Sequence, residues 1–288
     1  MAGATPQARV ADQLHELHNL FTQSQDYVDC IEKIKSGSTA TFDSVWGSSC
    51  ALFASGLLQQ FSSVLLIFPQ DKLCDDFSDD FSTFHGGTLL RFPHYLQSFD
   101  SRPTVDYEYG DRLRLIKHCY NGTPPAIMVS TPAALMQPVP NQESIAAHTR
   151  ILKTGDRIDL EEFKTWLINH GFQNTTAVEL QGEFSARGGI IDLFAPDWLT
   201  PIRIELFDDE IESIRYFHVD TQRSDAEIHE IEITLLSAEF EATGKLADYL
   251  PKDTLVIQVE PAELDQRARA FIQQSLSLIH ISEPTRPY

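Results

Sequence analysis

Basic residues are in short supply. Lys and Arg total 22 against 42 Asp and Glu, a formal net charge of −20 over 288 residues. A field that acidic makes a poor stand-alone binder of nucleic acid or anionic membrane, since both need a basic footprint. Long apolar runs are missing too: no stretch approaches the roughly 18 uninterrupted residues of a membrane span, so no membrane partner is expected. The start, Met1-Ala2-Gly3-Ala4-Thr5-Pro6, lacks the basic and apolar regions of a signal peptide. Cysteine is limited to Cys30, Cys50, Cys74 and Cys119, too far apart for a paired zinc motif, and reduced thiols in a cytoplasmic protein are the plain reading. Glycine (14) and proline (15) are too few for a collagen-like or low-complexity chain. What is present, 42% hydrophobic and 22% charged residues, is ordinary globular composition with length for about two domains.

Between Val10 and about Ile34 the apolar residues Leu14, Leu17, Leu20, Phe21 and Val28 fall at roughly helical spacing. Phe42 to Val45 reads as a short strand, and Ser48 to Gln60 as a helix with Leu52, Phe53, Leu57 and Leu58 inward. Val64–Phe68 and Ala126–Ser130 are buried-strand candidates, each followed by proline. Strands alternating with helices predict a parallel α/β layer. From about Thr149 the pattern changes. Asp159-Leu160-Glu161-Glu162 is a capped helix start, with Leu160, Phe163 and Leu167 as the apolar face and Gly171 as the stop. Short antiparallel candidates follow at Thr176–Leu180, Phe184–Arg187, Ile190–Phe194, Ile202–Phe207 and Ile211–Phe217, with turns at Gly188-Gly189, Pro196-Asp197 and Asp208-Asp209. Leu255–Val259 predicts a strand returning to the first sheet. The expected organisation is therefore a parallel α/β domain over 1–148, an inserted small α+β domain over 149–236, and a return segment over 237–275.

The first βα junction, Val45-Trp46-Gly47-Ser48-Ser49-Cys50-Ala51-Leu52, is where a nucleotide site would sit. A phosphate-cradling loop needs a second Gly five positions after the first, then Lys and Ser/Thr. Position 52 is Leu, and no Lys or Arg occurs from Ser36 to Asp71. No cofactor and no catalytic residue is expected in this chain. The run Asp75-Asp76-Phe77-Ser78-Asp79-Asp80-Phe81 reads as a solvated helix face with Phe77 and Phe81 inward, in preference to a metal cluster. His85, His94 and His118 show no metal-ligand spacing, so no metal is expected. Ser48 and Ser49 do not stand in the nucleophile-elbow pattern. Arg91, Arg102, Arg112, Arg114 and Lys117, interleaved with Phe92, Tyr95, Tyr107 and Tyr109, form the only basic-rich stretch, expected as plain surface in preference to a nucleic-acid contact. In Ile202-Arg203-Ile204-Glu205-Leu206-Phe207, alternation puts Ile202, Ile204 and Leu206 on one face and Arg203, Glu205 and Phe207 on the other. An Arg beside a large aromatic on an outward face suits an interface hot spot. The competing reading has Phe207 covered by a neighbour and Arg203 paired with Glu205.

Gly182-Glu183-Phe184-Ser185-Ala186-Arg187-Gly188-Gly189-Ile190-Ile191-Asp192-Leu193-Phe194, followed by the stretch Ile202 to Ile211, resembles the insert domain shared by bacterial transcription-repair coupling factors and the excision-repair helicase UvrB. Phe217-His218-Val219-Asp220-Thr221-Gln222-Arg223 is closer to the coupling-factor pattern, and the altered phosphate loop agrees with it. The resemblance implies a degenerate P-loop-like domain carrying a UvrA-binding insert, with Arg187, Arg203 and Phe207 at the contact positions. It also implies that an RNA-polymerase-binding domain and an ATP- and Mg-dependent DNA translocase follow elsewhere in the parent. The alternative is the N-terminal part of UvrB itself, which would keep Gly-Lys-Ser/Thr chemistry. Leu276 to Pro287 resembles a translated sequencing adapter, so 276–288 is expected to be an artefact and the authentic chain to run past Gln274.

Overall fold

The computed structural model describes residues 17, 20–95, 107–234 and 243–282, and its chain divides into two compact units. Leu14, Arg102 and the end of the adapter-like tail lie outside the described residues.

The first unit comprises the residues up to 91, then 124–133 and 251 onward. Its strands are β1 (Val64–Ile67), β2 (Leu89–Phe92), β3 (Ile127–Ser130) and, returning late in the chain, β12 (Leu255–Gln258). The sheet order is β12-β1-β3-β2, with β1 parallel to both β12 and β3. Central β1 is apolar at every position because it is sandwiched on both faces. Helices Gln25–Lys35, Ser48–Leu57 and Asp71–Phe84 supply much of the packing, burying Tyr27, Leu57, Phe77 and Phe81 against Val64, Leu66 and Val129. The acidic run behaves as expected: Phe77 and Phe81 stack inward with centroids 5.8 Å apart, while Asp71 and Asp75 clasp Arg91 at 2.8 and 2.6 Å. The expected strand at Phe42–Val45 is absent, because Ser44 takes a left-handed φ of 65° that no strand accommodates. Among the described residues, no helix is long and apolar enough to cross a membrane.

The second unit spans 92–123 and 134–250, and so includes the helix Tyr107–Tyr120 with the α+β segment. Strands β4 (Thr149–Lys153) and β11 (Glu230–Thr234) form a two-stranded antiparallel ribbon. Between them lie the helix Leu160–Asn169, with Asp159 accepting from the amides of Glu161 and Glu162, and a six-stranded sheet. That sheet contains β5 (Gln173–Asn174), β6 (Glu183–Arg187), β7 (Ile190–Phe194), β8 (Ile202–Phe207), β9 (Glu210–Phe217) and β10 (Ser224–Ile228), in the order β10-β9-β8-β7-β6-β5. One face buries Phe184, Ile191, Leu193, Ile202, Ile204, Ile211 and Ile214 with Phe163 and Leu167 of the helix. Thr176–Leu180 is not the expected strand. The amides of Glu179 and Leu180 instead donate to the Glu183 carboxylate at 2.8 and 2.9 Å, and Val178 turns into a small separate cluster with Phe194 and Phe217.

Candidate docking surface

The up-and-down order of β6 to β9 brings two turns to the same end of the sheet. Gly188-Gly189 joins β6 to β7 and Asp208-Asp209 joins β8 to β9, with Gly188 and Asp208 at φ of 59° and 60°. Glycine and Asx residues take that conformation at least strain. Gly189 is restricted again by packing: a Cβ there would lie 2.6 Å from Leu206 O, and the Leu206 amide donates to Gly189 O at 2.6 Å. That close approach ties the first turn to the strand leading into the second.

Phe207, the last residue of β8, is 76% exposed, so the covered reading fails for it. Ile190 opens β7 directly opposite Glu205 and is 41% exposed. Arg187 closes β6 opposite Ile190, exposed and without an ion-pair partner among the described residues. Alternation along β8 survives because the irregularity falls on β9: the register shifts between Glu205 and Leu206, leaving Glu212 as the extra residue.

Arg203 is placed differently. Its Nε and Nη2 donate to the two carboxylate oxygens of Asp192 at 2.6 and 2.7 Å, and Nη1 donates to Gln222 O at 3.2 Å. The guanidinium lies over the Phe217 ring at 5.1 Å. The hydrogen bonds it donates to Asp192 outweigh burial and hold the guanidinium above its ordinary pKa. Arg203 is thus paired, with Asp192 across the strand and not with Glu205. Glu205 accepts from the Ser213 hydroxyl at 2.7 Å and faces Arg215 at 3.6 Å, and Arg215 also meets Glu227 at 3.3 Å. The structure therefore gathers Phe207 and Arg187 at one exposed tip, with Ile190 between their strands, and sets Arg203 deeper in the same face as a strut. Ile190 escaped the sequence reading, although a two-residue Gly-Gly hairpin would have put it opposite Arg187.

In the basic-rich stretch, Arg112, Arg114 and Lys117 are not the plain surface expected. Arg112 is buried over the Phe92 ring and donates to Pro93 O and Ala134 O at 2.9 and 3.3 Å, and desolvation pulls its guanidinium down to about 10. Arg114 donates to Asp197 O at 2.8 Å and pairs with Asp111 at 2.6 Å. Lys117 pairs with Asp197 at 2.7 Å and Glu232 at 3.1 Å. In the helix Ser48–Leu57, Leu52 is buried, and Phe53 enters an aromatic cluster with Phe42 at 4.8 Å and Phe21 at 5.9 Å. The Ser49 hydroxyl turns back onto Trp46 O at 2.7 Å.

Residues 151–251 match the family described as the UvrB interaction domain. Over 140 residues the chain is 39% identical to a transcription-repair-coupling factor of Staphylococcus aureus (strain MRSA252), a match covering 48% of this chain and 12% of the relative. A transcription-repair-coupling factor of Staphylococcus epidermidis is 44% identical over 131 residues, 45% of this chain and 10% of its own. One from Staphylococcus haemolyticus is 36% identical over 139 residues, with shares of 48% and 12%. The matched part thus spans about an eighth or less of these relatives.

Proposed function

We infer that this chain is a UvrB-like module of a transcription-repair coupling factor and that its antiparallel sheet docks UvrA through the tip carrying Phe207 and Arg187. The observation that carries this reading is the 76% exposure of Phe207 on a strand whose Ile202 and Ile204 are fully buried on the other face, inside the segment similar to the UvrB interaction domain. A rigid aromatic held out at the end of a sheet strand, with a guanidinium able to fork to a carboxylate nearby, has the composition of an interface hot spot. The module itself contributes binding and no chemistry. In the parent, ATP-driven release of RNA polymerase stalled at DNA lesions, with its Mg requirement, would belong to domains elsewhere in a cytoplasmic protein.

The test is titration of the full chain against UvrA, wild type beside Phe207→Ala and Arg187→Ala, with circular dichroism of each. Phe207→Ala should cost about 2 kcal/mol, roughly a thirtyfold loss of affinity. Folded variants that bind UvrA like wild type would place the docking surface elsewhere.

A further inference from the structure

Charge at the exposed tip is unbalanced. On the face shared with Arg203, Asp192 is matched by Arg203, and Glu205 and Glu227 flank Arg215. At the turn, Asp209 meets Arg157 at 3.4 Å. Asp208, Glu210 and Glu212 remain exposed and have no ion pair among the described residues, against one such cation, Arg187. Glu210 stands directly opposite Phe207 in the hairpin, and cross-strand partners project on the same side of a sheet. Asp208 follows Phe207 in the turn itself. The exposed aromatic is therefore bordered by an excess of carboxylates: the nearest domain cation, Arg157, stands opposite Glu210 in a backbone bridge and pairs with Asp209.

We propose, building on the UvrA reading above, that the partner receives this tip in an apolar socket rimmed by Lys or Arg, with Phe207 and Ile190 as the anchor and Asp208 and Glu210 as the acidic border. A guanidinium in that socket would lie against the Phe207 ring and accept the Glu210 carboxylate as its ion-pair partner. Burying these carboxylates against a neutral surface would leave them desolvated and unpaired, which disfavours an all-apolar or acidic partner. A second copy of this chain is excluded as occupant on the same ground, since each copy carries −20 and would present the same acidic border. Arg187, on the neighbouring strand, supplies the one attractive contact for an acid on the partner and so fixes the orientation.

The experiment measures association and dissociation rates of the full chain with UvrA at low and raised salt, for wild type, Asp208→Asn/Glu210→Gln and Phe207→Ala. Both polar replacements keep shape, and asparagine tolerates the left-handed φ at 208. The neutral double variant should associate about five- to tenfold more slowly at low salt, with a flatter salt dependence. Phe207→Ala should mainly speed dissociation and keep the wild-type salt dependence. If Phe207→Ala loses binding while the neutral variant keeps its rate and salt slope, the docking site stands and the cationic rim is wrong. If Phe207→Ala binds like wild type, the docking site and the rim fall together.

Discussion

Lys117→Met removes the cation that faces the buried Asp197 carboxylate. Lys117 and Asp197 side chains are 9% and 5% exposed, with Nζ 2.7 Å from one Asp197 oxygen. The other oxygen, Oδ1, is buried without a hydrogen-bond partner, so Lys117 supplies the charge compensation almost alone. Burial by itself would pull the Lys117 ammonium down, but Asp197 and Glu232 outweigh it and hold it above the ordinary value. Breaking such a buried pair by removing one partner costs about 3–5 kcal/mol, a large share of a typical total of about 5–15. For a unit of this size that corresponds to a fall in Tm of about 10 °C. The sign with pH follows from the raised value: the lysine's contribution is fully present below about pH 10, the ordinary lysine range, and is lost as pH rises through the folded pKa. Urea unfolding of wild type and Lys117→Met from pH 7 to 11 should show the gap between them closing only at the alkaline end. Adding Asp197→Leu to Lys117→Met should restore much of the loss, because Glu232, 28% exposed, can turn to water. A Lys117→Met chain within 1 kcal/mol of wild type at pH 7 would refute the reasoning.

The chain should neither bind nor hydrolyse ATP, because Leu52 and Phe53, buried inside the helix Ser48–Leu57, stand where a phosphate loop would present its second Gly and Lys. Micromolar binding by calorimetry would overturn this. Duplex DNA should bind weakly and salt-sensitively at most, because the acidic field repels phosphate and Arg91, Arg112, Arg114 and Lys117 are engaged internally. Submicromolar affinity at physiological salt would sink it.

Regular alternation is what made the docking sheet legible. The positions of β6 to β9 follow from Phe184, Ile191, Leu193, Ile202, Ile204 and Ile214 facing one core, and periodicity reports that directly. The return of Leu255–Gln258 to the first sheet was legible for the same reason, as a short apolar run bounded by turns. Strands without that signature were not. β10, Ser-Asp-Ala-Glu-Ile, is an exposed edge held by its bulged pairing to β9, and β4 and β11 bury essentially Leu152, Ile233 and Thr234. The helix Tyr107–Tyr120 carries Arg112, Arg114 and Lys117 of the stretch expected as plain surface, and there charge does not mean exposure. Gly110 shows why: a Cβ there would run into Pro196 O, so the helix lies hard against the 195–198 loop with Arg114 and Lys117 facing its carbonyls and carboxylate. Pairing of that kind is non-local, with Lys117 and Asp197 80 positions apart, and no local pattern announces it.

Arg203 decides how the docking site can be tested at all. From strand alternation it looks equivalent to Phe207, yet its fork to Asp192 means that two functions would be confounded in any substitution there. Arg203→Glu would set a second carboxylate against Asp192, whose side chain is 12% exposed, and would release Gln222 O and the loop that it anchors. The resulting loss of fold would abolish UvrA binding whether or not Arg203 touches UvrA. Phe207 and Arg187 carry no such burden: the first leaves Ile202 and Ile204 buried behind it, and the second makes no ion pair among the described residues. A contact role for Arg203 therefore needs a substitution that preserves the Asp192 pair. Arg203→Lys keeps the charge and drops the fork, so an affinity loss larger than its stability loss is the signature of direct contact.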